Sequence, residues 1–89
     1  MTSNQHDQEI SMLRAEIEML MNERQGLLRA SGAAAVFVAQ LDSSSLPEET
    51  FAAADVLAQA LNTLSDETLR ESLELVRPEI NRADAAKSG

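Results

Sequence analysis

The stretch from Ile10 to Leu41, ISMLRAEIEMLMNERQGLLRASGAAAVFVAQL, repeats its apolar residues every seven positions. Written as a heptad, the a positions are Ile10, Ile17, Arg24, Ser31 and Val38, and the d positions are Leu13, Leu20, Leu27, Ala34 and Leu41. Apolar residues three and four apart line one side of a helix, and a stripe of that kind requires a partner helix. The repeat predicts a long coiled-coil-like helix over 8–41, about 50 Å long at 1.5 Å per residue. Met21 and Leu28 at e, with Met12 and Met19 at c, broaden the stripe beyond a minimal two-stranded seam. That breadth suits a helical bundle formed between chains as well as a simple dimer.

Two glycines interrupt the pattern. Each costs a helix interior up to about 1 kcal/mol relative to alanine. Gly32 has the form of a helix stop or bend, but the heptad keeps its phase through Val38 and Leu41 and three alanines follow directly. One continuous helix is therefore expected. Arg24 is the charged exception in the seam, able to set register and strand number, with Glu23 at g the candidate to neutralise it.

Downstream, Asp42 to Leu46 reads as a serine-rich loop. Ser45 and Glu48 have capping-box spacing, and Pro47 suits a first helical turn. A second helix is expected over about 47–63, presenting Phe51, Ala54, Leu57, Ala58, Leu61 and Leu64, with Val56 beside them. Ser65, followed by Asp66 and Glu67, starts a third. That helix carries Leu69, Leu73, Val76 and Ile80 at helical spacing, and Pro78 is expected to end or kink it. The short connection predicts a helical hairpin over 47–80 that covers the region around Phe37. Residues 1–7 and 81–89 read as a flexible N-terminus and a disordered tail. The fold class expected is all-α.

Composition bounds the rest. Of the apolar residues, 14 are alanine and 25 are larger, and neither Trp nor Tyr is present. Chains of this size bury only roughly 60% of their unfolded surface, so further burial is expected from a second copy. A homodimer is the simplest assembly and a tetramer the alternative. The expected interface comprises Ile10, Leu13, Ile17, Leu20, Arg24, Leu27, Leu28, Val38 and Leu41.

Catalytic chemistry has little to work with. The chain has no cysteine and a single histidine, His6, near its N-terminus. Nucleophile–base pairs cannot be assembled from that inventory, and Ser43, Ser44 and Ser45 read as loop and cap residues. Glu67, Glu71 and Glu74 share one side of a helix, yet Arg70 and Arg77 lie close enough to neutralise them. Glycine-rich phosphate loops, HExxH and EF-hand patterns are all missing. Neither an enzyme nor a cofactor or metal is expected. The longest apolar run is far shorter than the ~20 residues of a membrane span, and the polar N-terminal residues do not resemble a secretory leader. The expected location is the cytoplasm.

The net charge of −8 is unevenly spread, with no Lys or Arg between Arg29 and Arg70. Asp42, Glu48, Glu49, Asp55, Asp66 and Glu67 form a candidate acidic partner surface there. Phosphate backbones would be repelled by it, and a basic protein attracted. Three functions follow in order of expectation. The first is a non-enzymatic oligomerisation and protein–protein interaction module with an unidentified partner. The second is an acidic inhibitor or nucleic-acid mimic, of phage or mobile-element type, that blocks a basic host surface. The third is a small transcriptional regulator, disfavoured because its recognition helix would carry more acid than base.

Overall fold

A computed structural model describes residues 2–88, with side chains described for 4–87. The chain is all-helical among these residues. Helix α1 runs Thr2–Gln40, α2 Phe51–Asn62 and α3 Asp66–Ser88, with two short 3-10 turns at Ser43–Ser45 and Glu48–Thr50. The 39 residues of α1 make a rod about 58 Å long, which sets the 68 Å longest dimension of the molecule.

Gly32 does not stop or bend this helix out of existence; α1 continues eight residues beyond it. The small residue serves a tertiary purpose. A Cβ placed on Gly32 would collide with the Ser72 carbonyl oxygen, and would stand 2.7 Å from the Ser72 carbonyl carbon and 2.9 Å from Val76 Cγ2. Helices α1 and α3 therefore approach backbone to backbone at this point, with the Val76 side chain alongside. Leu28, one turn earlier on the same face, is 5% exposed, Val76 is 2% exposed, and Ser72 is fully buried. Ser72 satisfies its hydroxyl locally, donating from Oγ to the Thr68 carbonyl at 2.9 Å, as a buried hydroxyl must.

The expected hairpin is splayed. Helices α2 and α3 are joined by only Thr63–Ser65, yet both lean on α1, α3 far more extensively, rather than on each other. The reason lies in α1, which is apolar nearly all round from Ala33 to Val38 and so offers two faces at once. Helix α2 turns Ala54, Leu57, Ala58 and Leu61 inward to partial burial, with Leu64 of the connection, while Phe51, expected on that face, and Val56, expected beside it, stay exposed. In α3, Leu69, Leu73, Val76 and Ile80 are all at least partly buried.

Helix ends differ from expectation in three places. The stretch 1–7, expected to be flexible, is helical from Thr2 onward, with His6 exposed on it. Ser45 does not cap α2: its Oγ donates to the Asp42 carbonyl at 2.9 Å, because Asp42 already organises the 3-10 turn by accepting from Ser44 N and Oγ. Helix α2 accordingly begins after Pro47, at Phe51. Helix α3 runs through Pro78 to Ser88, so 81–88 is helix rather than a disordered tail. Proline removes one backbone bond, but Glu74 and Pro78 are both exposed, which leaves the freed carbonyl to water. Ser65 does act as foreseen, accepting from Thr68 N at 3.1 Å at the start of α3.

Candidate assembly surface

The heptad stripe divides into two halves. Its C-terminal half is engaged within the chain. Ser31 and Ala34 face Leu57 and Leu61 of α2, and Leu64 just beyond it, across a shallow apolar cleft. Val38 faces Ala58, Leu61 and Leu69, and Leu41 faces Leu46, Ala53 and Leu57. Leu28 is buried at the α1–α3 contact. Thus Leu28, Val38 and Leu41, expected in the seam between chains, are occupied by α2 and α3 of the same chain. The short connections after Gln40 make those helices the nearest apolar partners.

The N-terminal half has no such cover. Every residue from Ser11 to Leu27 is exposed, and only Ile10 is partly shielded. Leu13, Ile17, Leu20 and Leu27 are each more than half exposed, Leu20 at 64%, and Met12, Met19 and Met21 resemble them. Chain-wide, the accessible surface is 7401 Å², whereas a compact monomer of 9.6 kDa exposes about 5,100 Å². The radius of gyration is 19.3 Å, against about 12 Å for a compact domain of this length.

Arg24 marks the boundary between the halves. Its guanidinium grips Glu71 of α3 bidentately, Nη1 to Oε1 and Nη2 to Oε2, both at 3.0 Å. Glu71, not the neighbouring Glu23, is thus the partner of this a-position arginine. Arg29 holds Glu79 in the same way, with Nε to Oε2 at 2.8 Å and Nη2 to Oε1 at 2.6 Å. In each pair the arginine's hydrogen bonds hold the glutamate pKa below its ordinary value, with a smaller Coulombic contribution. Such forked geometry is the most specific an ion pair offers. Arg24, Arg29 and Glu71 are exposed and Glu79 is only partly buried, so the forks orient α3 on α1 more than they stabilise it.

The acidic residues lie in the loop after α1, in α2 and at the start of α3. Asp42, Glu48, Glu49, Asp55, Asp66 and Glu67 are all exposed. The Asp42 carboxyl lies below its usual pKa because the Ser44 hydroxyl, and then the Ser44 N–H, donate to it. Asp55 accepts from Gln59 Nε2 at 3.0 Å. Of the glutamate row on α3, Glu71 turns to Arg24, and no cluster of three or more potential metal ligands forms among the described residues. Nor is any helix there long and apolar enough to cross a membrane.

Sequence reasoning did not single out Ser72 or Glu79. Ser72 carried a usable signal, since it lies three and four residues from Leu69 and Val76 on the apolar face of α3. Glu79 carried none, because its pairing depends on where α3 lands on α1. Compared with known protein families, characterised proteins and solved structures, the chain matches none.

Proposed function

We propose that this chain is a non-enzymatic helical module that self-associates through the N-terminal half of α1 and meets another protein through its remaining surface. The observation that carries the reading is the uncovered seam of Leu13, Ile17, Leu20 and Leu27, with the partly shielded Ile10 at its end, on a projecting helix. The surface in excess of a compact monomer, about 2,300 Å², is comparable to what a stable dimer buries across its whole interface. A second copy supplies an identical stripe and covers it. The reading extends to a cytoplasmic setting, supported by a cysteine-free composition suited to a reducing compartment.

Light scattering across a concentration series tests it directly. Wild-type chain is expected to give an oligomer mass, and Leu20→Asp a monomer that keeps its helical signal. A wild-type monomer at every concentration would overturn self-association.

A second reading is an acidic protein that occupies a basic, nucleic-acid-binding surface. It is favoured by the exposure of all six carboxylates of the acidic surface, in a stretch without Lys or Arg between Arg29 and Arg70. Binding to such a partner would weaken steeply with salt, and on charge reversal at Glu48, Glu49, Asp55 and Glu67. An apolar docking surface would respond little to either.

A further inference from the structure

The flanks of the exposed seam carry direction as well as affinity. In the heptad, Glu9, Glu16 and Glu23 occupy three successive g positions, while the e positions beside them hold Arg14, Met21 and Leu28. Glu9, Arg14, Glu16 and Glu23 are all exposed, and none forms an ion pair within the described residues, whose two ion pairs use Arg24 and Arg29. Arg24, the one cation at an a position, is held by Glu71 of its own chain. The g row is therefore free to meet a charge on a second chain.

Two copies can lie side by side in two senses, and the charges distinguish them. In a parallel, in-register pair each g residue faces the e residue of the following heptad on the other chain. Glu9 then meets Arg14 of the second copy, twice by symmetry, and Glu16 lies over the apolar Met21 position, while Leu28, the e position after Glu23, is already buried against α3 of its own chain. In an antiparallel pair g faces g, which sets glutamates against glutamates and leaves Arg14 with no acid across the seam. Ile at both free a positions, Ile10 and Ile17, with Leu at d, favours the same parallel two-stranded choice. Resting on the self-association reading above, we infer that two copies pair in parallel and in register along Ile10–Leu27, with Glu9 of each chain bridging to Arg14 of the other. The pairing ends after Leu27, where α3 of the same chain buries Leu28 and α2 faces the stripe from Ser31 onward.

The test combines a distance with a charge swap. A spin label on Gln8→Cys, a single thiol in a chain without cysteine, reports the separation of the two N-termini. Mass by light scattering is checked on the same sample. Parallel pairing expects a label separation of roughly 20 Å or less, given helix axes about 10 Å apart. Antiparallel overlap of the same segment expects about 30 Å or more, from the axial rise between position 8 and its counterpart. In addition, Glu9→Arg and Arg14→Glu should each weaken dimerisation roughly threefold to tenfold, and the double swap should restore it. A dimer with the long distance, in which Glu9→Arg is neutral or tightens association, overturns the parallel inference and leaves self-association standing. A tetramer mass also overturns the two-stranded pairing. A monomer at every concentration overturns both readings together.

Discussion

Gly32 of α1 lies against the backbone carbonyl of Ser72 of α3, so closely that no side chain fits between them. This approach brings two helices together with very little apolar mass. Leu28 and Val76 are the buried large side chains beside it. The chain's tertiary order consequently depends on small residues at one crossing, flanked by two forked ion pairs.

Substitution at the two helical glycines should have opposite signs. Gly32→Ala forces α3 away and is expected to destabilise by about 1–3 kcal/mol, as overpacking does. Around Gly26 a Cβ meets nothing within 4 Å, so Gly26→Ala should stabilise by roughly 0.5–1 kcal/mol through helix propensity. Denaturant unfolding followed by circular dichroism separates the two, and equal effects would contradict the crossing.

Ser72 offers a size test of the same contact. Its hydroxyl bonds only to the Thr68 carbonyl of its own helix, so Ser72→Ala should change stability by about 1 kcal/mol or less. Ser72→Leu has no room in a fully buried site and should cost about 1–3 kcal/mol. The readout is the shift in unfolding midpoint of each variant.

Glu71 and Glu79 should titrate below the ordinary glutamate pKa of about 4.3, because Arg24 and Arg29 donate to their charged forms. A pKa lower in the folded state means these contacts favour folding above that value, and the benefit disappears as pH falls through the folded-state pKa. Carboxyl chemical shifts recorded during acid titration would show it. Arg24→Gln is expected to return Glu71, but not Glu79, to the ordinary range.

Pro78 sits inside α3 with its missing N–H on an exposed side of the helix. Pro78→Ala restores the bond to the Glu74 carbonyl and should raise stability by up to about 3 kcal/mol. Thermal unfolding measures this, and a loss of stability would show that proline fits α3 better than a regular turn does.

Much of the architecture was legible along the chain. The heptad phase from Ile10 to Leu41 established a long helix through Gly32, because periodicity reports a face regardless of one weak residue. Ser65 announced α3, since a hydroxyl before Asp66 and Glu67 satisfies free N–H groups locally. By contrast, the end of α3 was misjudged at Pro78, where solvent rather than a neighbouring turn receives the lost bond. The cap of α2 was misassigned because Asp42 captured the serine turn first.

Sequence alone thus determined that three helices form, the first of them long, and which side of α1 is apolar, for both follow from short-range spacing. Only the tertiary structure decided how that stripe is shared: Ser31 to Leu41 turned to α2 and α3, Ile10 to Leu27 left free. A stripe specifies that a partner is needed, not which one. The partner is chosen by the close approach at Gly32 and Ser72, and by the reach of Arg24 to Glu71. Both are distances between residues some forty positions apart, and no local pattern encodes them.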